Sequence, residues 1–284
     1  MSDHLKGLTS LHLGLLLFGG TAIFSQTLQL NALDLTTWRC LIAAALLLGW
    51  LSLRRKPLGF DSRNEWLGIV GLSVLMGLHW VTYFHSMQIA GVTVGMLALF
   101  TYPVITVFLE PIFNKTRLQI RDLFAALLVV GGLVMMTPSL NPDDPIVLGV
   151  FWGVISALLF TLRNLTMKKY YSSHSPVKTM GWQTLFVFFM LLPFSTDEVL
   201  SLDGDQWFQL LLLGTIFTAA PHTLLANSLR FLKASSVSLI SCLQPVYGAV
   251  LAFILLSEQP EVTTLLGGCL IIAAAANETL KKKA

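Results

Sequence analysis

Apolar residues run along this chain in long blocks separated by short polar connections. Ten blocks stand out, at 8–29, 34–53, 65–89, 91–113, 118–137, 146–169, 179–196, 207–231, 235–257 and 262–280. Each lies near the length of about 20 mostly apolar residues that an α-helix needs to cross a bilayer. A membrane β-barrel would instead show short segments alternating apolar and polar positions. The pattern predicts an all-α polytopic membrane protein with ten transmembrane helices. The first block follows a single lysine, Lys6, and runs into "TAIFSQ" without a clear small-residue cleavage site. It reads as a retained helix rather than a signal peptide.

Composition agrees. Apolar residues make up 55% of the chain, charged residues 12%, and mean hydropathy is +0.73, whereas soluble proteins carry about 25% charged residues. The connections are too short for a separate soluble domain. Cys40, Cys242 and Cys269 fall inside apolar blocks without metal-ligand spacing, so they read as free thiols, and neither a metal nor a cofactor is expected.

The net charge of +3 matters less than its placement. Alternate connections hold Lys6; Arg54, Arg55, Lys56 and Arg63; Lys115, Arg117 and Arg121; Lys168, Lys169 and Lys178; Arg230 and Lys233; and Lys281, Lys282 and Lys283. The others hold Asp143, Asp144, Asp197, Glu198, Asp203, Asp205, Glu258 and Glu261, with no lysine or arginine. Short loops rich in lysine and arginine stay inside, so both termini are expected in the cytoplasm. The basic clusters are small and scattered, which argues against a nucleic-acid partner.

Sliding the sequence by 142 residues lays "YPVITVFLEPIF" over "QPVYGAVLAFIL" and pairs Pro103 with Pro245. Offsets a few residues different pair "GLLLFGGTAIF" with "GVFWGVISALL", and Trp38 with Trp182. Two repeats follow, at 1–140 and 141–284, each with five helices. An odd number sends the second copy into the membrane from the opposite side. Inverted repeats of this kind characterise many secondary transporters, whose binding site lies near the midplane. Pro103 and Pro245 then read either as packing kinks or as a paired hinge. Glu110 reads as an interfacial anchor or as a coupling site.

With these spans and repeats, the chain resembles the EamA family of the drug/metabolite transporter superfamily over nearly its whole length. The segment "LQPVYGAVLAFILLSEQPEVTTLLGGCLIIAAA" is close to the family's proline, glutamate and small-residue final helix, here Pro245, Glu258, Gly267 and Gly268. "TTWRCLIAAALLL" looks like its second helix with an arginine, here Arg39, and Gln183 stands opposite in the second repeat. Thr116 stands where the family's first-repeat glutamate would fall. The resemblance implies a carrier in the bacterial inner membrane for a small metabolite, an amino acid or related amphipathic compound, and export in particular. Import of an aromatic or vitamin-like compound is the alternative. It also implies a central cavity between helices one to four and six to nine.

Several polar residues sit inside the blocks. His79, with Tyr83 one turn later, and His222, opposite Trp80 in the repeat alignment, lie near mid-helix. They read either as packing histidines or as groups that couple transport to protons. Tyr102 and Gln244 precede the paired prolines and offer polar contacts to a substrate. Trp80 is deep enough for a cavity, whereas Trp38, Trp152 and Trp182 suit the interface. Arg39 either snorkels outward or neutralises a carboxylate, that of Asp34 or of a substrate. Arg163 is expected to snorkel to the cytoplasmic surface, and Asn164 and Asn227 are further polar contacts. No HExxH, phosphate-binding glycine loop or GxSxG element suggests an intramembrane enzyme, and alternating closure argues against a channel.

Overall fold

The computed structural model describes residues 2–21, 24–90, 92–118, 120–135 and 145–247, with 266, 269, 270 and 273. All regular structure among these residues is helical. Five stretches are each long and apolar enough to cross a membrane: Ala32–Leu53, Arg63–Ala90, Val147–Tyr171, Pro176–Phe194 and Gly204–Phe231. Large apolar side chains stand exposed around the outside, among them Leu67, Phe124, Phe151, Phe189 and Phe208. Lipid is the solvent that suits them.

Local signals set the helix ends. α1 (Asp3–Gly19) starts at Ser2, whose hydroxyl accepts the Leu5 N–H. It stops at the Gly19-Gly20 pair, and a short α2 (Phe24–Thr27) follows. The first apolar block is thus divided rather than continuous. Gly20 packs so tightly on Phe217 that a Cβ there would fall 2.4 Å from the ring. α3 (Ala32–Leu53) opens on Asn31, whose side-chain oxygen accepts from Leu33 and Asp34 N–H. α4 (Arg63–Ala90) follows the expected third block closely.

The fourth block is two helices, α5 (Val92–Leu99) and α6 (Tyr102–Asn114), with a turn at 100–101 and Pro103 second in α6. Proline has no N–H for the carbonyl four residues back and clashes with it, so the helix stops and restarts. After α7 (Ile120–Met135) come α8 (Ile146–Tyr171) and α9 (Pro176–Leu191), the latter beginning at Ser175 and Pro176, three residues before the predicted edge. α10 (Gly204–Gly214) opens with a capping box between Asp203 and Gln206. It passes through a π-helical turn, Thr215–Ala219, into α11 (Ala220–Phe231). α12 (Ala234–Ser241) ends in a turn at 242–243, and helix resumes at 244–247 with Pro245 second. Each boundary of this break lies 142 residues after its counterpart around Pro103. The rest of the ninth block and most of the tenth, with Glu258, Gly267 and Gly268, lie outside the described residues.

The packing follows the same relation. α4 lies along α8, α1 along α11 and α3 along α9. Exchanging each residue with the one 142 away sends the first pair into the second and leaves the third in place. Gly7 on α1 meets Phe231 and Leu232, and Gly149 on α8, its counterpart, meets Ala90. A Cβ at Gly149 would fall 2.2 Å from that of Ala90, so glycine is what lets these helices approach.

Candidate functional site

The helices enclose a cavity near the middle of the bundle. α4 contributes His79, Trp80, Tyr83 and Phe84, α3 contributes Arg39, and α11 contributes His222 and Leu225. Tyr102 and Gln244, beside the two helix breaks, face it from the other wall, and Leu15, Phe18, Thr21, Leu99, Phe160 and Ser241 complete it. The space open to the centre of a water molecule is about 40 Å³, room for about three waters at ~15 Å³ each. Ligand pockets are commonly about 300–1,000 Å³, so the cavity as it stands is too small for a metabolite.

Arg39 is the principal charge of the cavity. It is 1% exposed, and its guanidinium lies between two aromatic faces, 4.5 Å from the Trp80 ring centre and 4.6 Å from that of Phe84. Cation–π contacts at desolvated sites contribute about 2 kcal/mol, which holds the group but leaves its N–H donors unused. Nε and Nη2 have no hydrogen-bond partner among the described residues. Neither expected role as a snorkelling residue nor pairing with Asp34 is realised. Asp34 is itself buried and accepts from Asn31 Nδ2 at 2.7 Å and from the backbone N–H and hydroxyl of Thr196. Burying an ion without a counter-charge costs several kcal/mol, so this wall presents a desolvated positive charge with hydrogen-bond donors to spare.

Hydrogen bonds fix the tautomers of both histidines. The Trp80 indole N–H, which can only donate, points at His222 Nε2 at 3.2 Å. His222 is therefore neutral in this structure, with its proton on Nδ1, and that N–H has no partner among the described residues either. Phe18 packs edge-on against the ring at 4.6 Å between centres. His79 is arranged differently. The Ser156 hydroxyl donates to the His79 carbonyl at 2.9 Å, so its oxygen accepts from His79 Nδ1 at 2.7 Å. Nδ1 holds the proton, and Nε2 is left as the basic nitrogen of a ring stacked on Phe160 at 4.5 Å. Tyr102 donates its hydroxyl hydrogen to the Ser238 carbonyl at 3.2 Å, tying the two broken helices together.

The sequence model of the EamA-like transporter family matches residues 5–137 and again residues 147–276. The chain belongs to the EamA-like transporter family. The transporter YxxF of Bacillus subtilis is 24% identical over 95% of this chain and 88% of its own length. The S-adenosylmethionine uptake transporter of Rickettsia felis is 23% identical over 96% of this chain and 92% of its own. A solved crystal structure superposes with a TM-score of 0.77 over 99% of both chains at 17% identity, which establishes the fold they share. Transporters, not enzymes, are the company this chain keeps.

Other residues of this EamA-like chain are placed away from the cavity. Asn227 donates to the Ser10 hydroxyl at 2.8 Å and holds α11 to α1. Glu110 does not reach for water as an interfacial anchor would. It is 7% exposed, and its two oxygens accept the N–H groups of Ala234 and Ser235 at 2.8 Å each. It caps α12, whose own N-cap Lys233 makes no side-chain cap, and a carboxylate at a helix N-terminus is favoured by the helix dipole as well. Arg163 does not snorkel either: it is 0% exposed and turned into the α8–α9 interface. Pro103 and Pro245 are the helix breaks already described, one helical turn from Leu99 and Ser241 on the cavity wall.

Reasoning from sequence missed Phe84, the second face of the Arg39 sandwich, and Ser156, the partner of His79. It also missed the π turn, although Pro221 signals it. Pro221 cannot bond to the Phe217 carbonyl, which accepts the Thr21 hydroxyl at 3.2 Å instead. That adjustment presents His222 to the cavity one residue after the proline.

Proposed function

We propose that this EamA-family protein is a secondary transporter with ten spans in two inverted repeats, 1–140 and 141–284. It carries a small amphipathic metabolite bearing a negative group by alternating access about the Arg39 cavity. The observation that carries this reading is the buried guanidinium of Arg39, whose Nε and Nη2 have no hydrogen-bond partner among the described residues, in a largely aromatic and apolar wall. A carboxylate supplies the missing acceptors and charge, in the paired geometry that guanidinium favours. The apolar part of the ligand suits Phe18, Phe84 and Phe160. Amino acids and related compounds have this make-up.

The placement of lysine and arginine supports a bacterial inner-membrane location with cytoplasmic termini. Export is the direction that the family resemblance implies. Uptake is the second reading, supported by the name of the rickettsial relatives. Protons are the proposed coupling ion, and His79 is the group suited to carry them, because Nε2 can gain a proton without losing the bonds at Nδ1. Charged or titratable groups facing the same cavity are Arg39 from α3, Tyr83 from α4, Tyr102 from α6 and His222 from α11. A substrate carboxylate on Arg39 would offset the added charge.

The test is the thermal stability of the purified full chain with amino acids, each beside its carboxamide. Stabilisation by a free acid and none by its carboxamide is expected, with the effect abolished in Arg39→Gln. Equal stabilisation by acid and carboxamide would remove Arg39 as the docking group.

A further inference from the structure

Arg163 is the second buried guanidinium of the chain, and its partners are all neutral. Nε donates to Gln183 Oε1 at 3.1 Å, Nη1 to Asn164 Oδ1 at 3.0 Å, and Nη2 meets the Met180 sulfur at 2.7 Å. Among the described residues no carboxylate pairs with it; the ion pairs there are Lys6–Asp3 and His174–Glu65. The hydrogen bonds occupy its donors but leave the charge uncompensated. A thioether is a weak acceptor on a flexible side chain that repacks readily.

Its position relates it to Arg39. Arg39 lies seven residues after Ala32, the first of α3 behind its cap Asn31, and Gln183 seven residues after Pro176, the first of α9 behind its cap Ser175. Arg163 stands 142 residues after Thr21, which lines the Arg39 cavity. At the offset of 142 Thr21 falls on Arg163, and at the offset of 144 that pairs Trp38 with Trp182, as the helix starts also do, Arg39 falls on Gln183. Each repeat holds one arginine at this place, contributed by the second helix in one copy and by the first in the other. Seven residues from the start of α3 and eight from the end of α8 correspond to depths of about 10 and 12 Å at 1.5 Å per residue. α3 and α8 both start on the side of the acidic connections, so in a bilayer crossed by both helices the two charges would lie in opposite halves.

We infer that Arg163 is a second anion-binding station, the counterpart of Arg39, which takes the substrate's negative group when the carrier opens toward the basic connections. The inference rests on the transport reading above. In the structure described here the station is closed, filled by Gln183, Asn164 and Met180. When the two halves exchange their packing, those neutral groups withdraw and the Arg39 side closes.

The experiment uses full-length chain with Cys40, Cys242 and Cys269 changed to alanine, reconstituted in vesicles of either orientation. Gln183→Cys and Thr21→Cys report on the two stations. Each is treated with a negatively charged ethylsulfonate thiosulfonate and with its trimethylammonium counterpart. Gln183→Cys should react from the face bearing the 54–62 loop, faster with the anionic than with the cationic reagent by roughly 300-fold, since a unit charge about 10 Å away at an effective dielectric near 20 shifts the two rates about 16-fold in opposite directions. The preference should vanish when Arg163→Gln is added. Thr21→Cys should show the same preference from the opposite face, dependent on Arg39. A Gln183→Cys that is unreactive from both faces, reactive only from the outer face, or indifferent to reagent charge would make Arg163 a purely structural residue. If Thr21→Cys keeps its Arg39-dependent preference in that case, the second station fails while the transport reading stands.

Discussion

The Trp80 indole donates to His222 Nε2 at 3.2 Å, and these residues are 142 positions apart, each the other's counterpart in the repeat. Two equivalent residues that touch must lie at the two-fold relation between the halves. The bond is thus made where the two halves meet, and under the proposed alternating access rocking of one half against the other would strain it. A neutral hydrogen bond of this kind contributes about 1 kcal/mol. Trp80→Phe keeps the ring under Arg39 but removes the donor. It is expected to change how fast a Thr21→Cys is labelled from outside, reporting a shifted balance of access states. Unchanged labelling would place the bond outside the pivot.

The tautomers separate the histidines. Protonating His222 at Nε2 requires losing the Trp80 bond, whereas His79 has Nε2 available. His79→Gln is therefore expected to retain substrate exchange but lose accumulation driven by a pH gradient, and His222→Gln is expected to keep that dependence. Unaltered gradient dependence in His79→Gln, measured in proteoliposomes, would return His79 to a packing role.

Glu110, as the cap of α12, is expected to act on stability rather than on coupling. Glu110→Ala leaves the Ala234 and Ser235 N–H groups buried without acceptors, a cost of about 1–3 kcal/mol. The melting temperature in detergent should fall, while Glu110→Gln, which keeps one acceptor, should fall less. The dependence of transport on pH should remain in Glu110→Gln. A collapse of that dependence with full thermal stability would make Glu110 a coupling group after all.

Pro103 and Pro245 interrupt their helices at equivalent places beside the cavity. Alanine at either position restores a donor for the carbonyl of Leu99 or Ser241 and favours one continuous helix. Turnover should drop more than ligand affinity does, in both single variants. Wild-type turnover in both would show that the breaks serve packing alone.

How much of this was legible in the sequence depends on the kind of information. The spans α3, α4 and α8 were readable to within about two residues, because length and apolar content are what a bilayer demands. The repeat offset was readable because Pro103 and Pro245 mark the same break twice. Depth was readable for Arg39 and Arg163, but direction was not: azimuth around a uniformly apolar helix leaves no pattern in the sequence. Hence the expected snorkelling of Arg163, which the structure instead turns toward Gln183 at 3.1 Å. The Glu110 cap was illegible for another reason, since Ala234 lies 124 positions away and nothing local links the two.

In the proposed transport, Arg39 docks the negative group of the carried metabolite. Counterflow in proteoliposomes tests it most directly: unlabelled amino acid inside, the same labelled compound outside, for the wild type, Arg39→Lys and Arg39→Gln. The expected result is transient, saturable accumulation in the wild type with an acid that stabilised the protein. It should weaken in Arg39→Lys, which keeps the charge but loses the paired donors, and vanish in Arg39→Gln. Full counterflow in a correctly inserted Arg39→Gln would contradict the account.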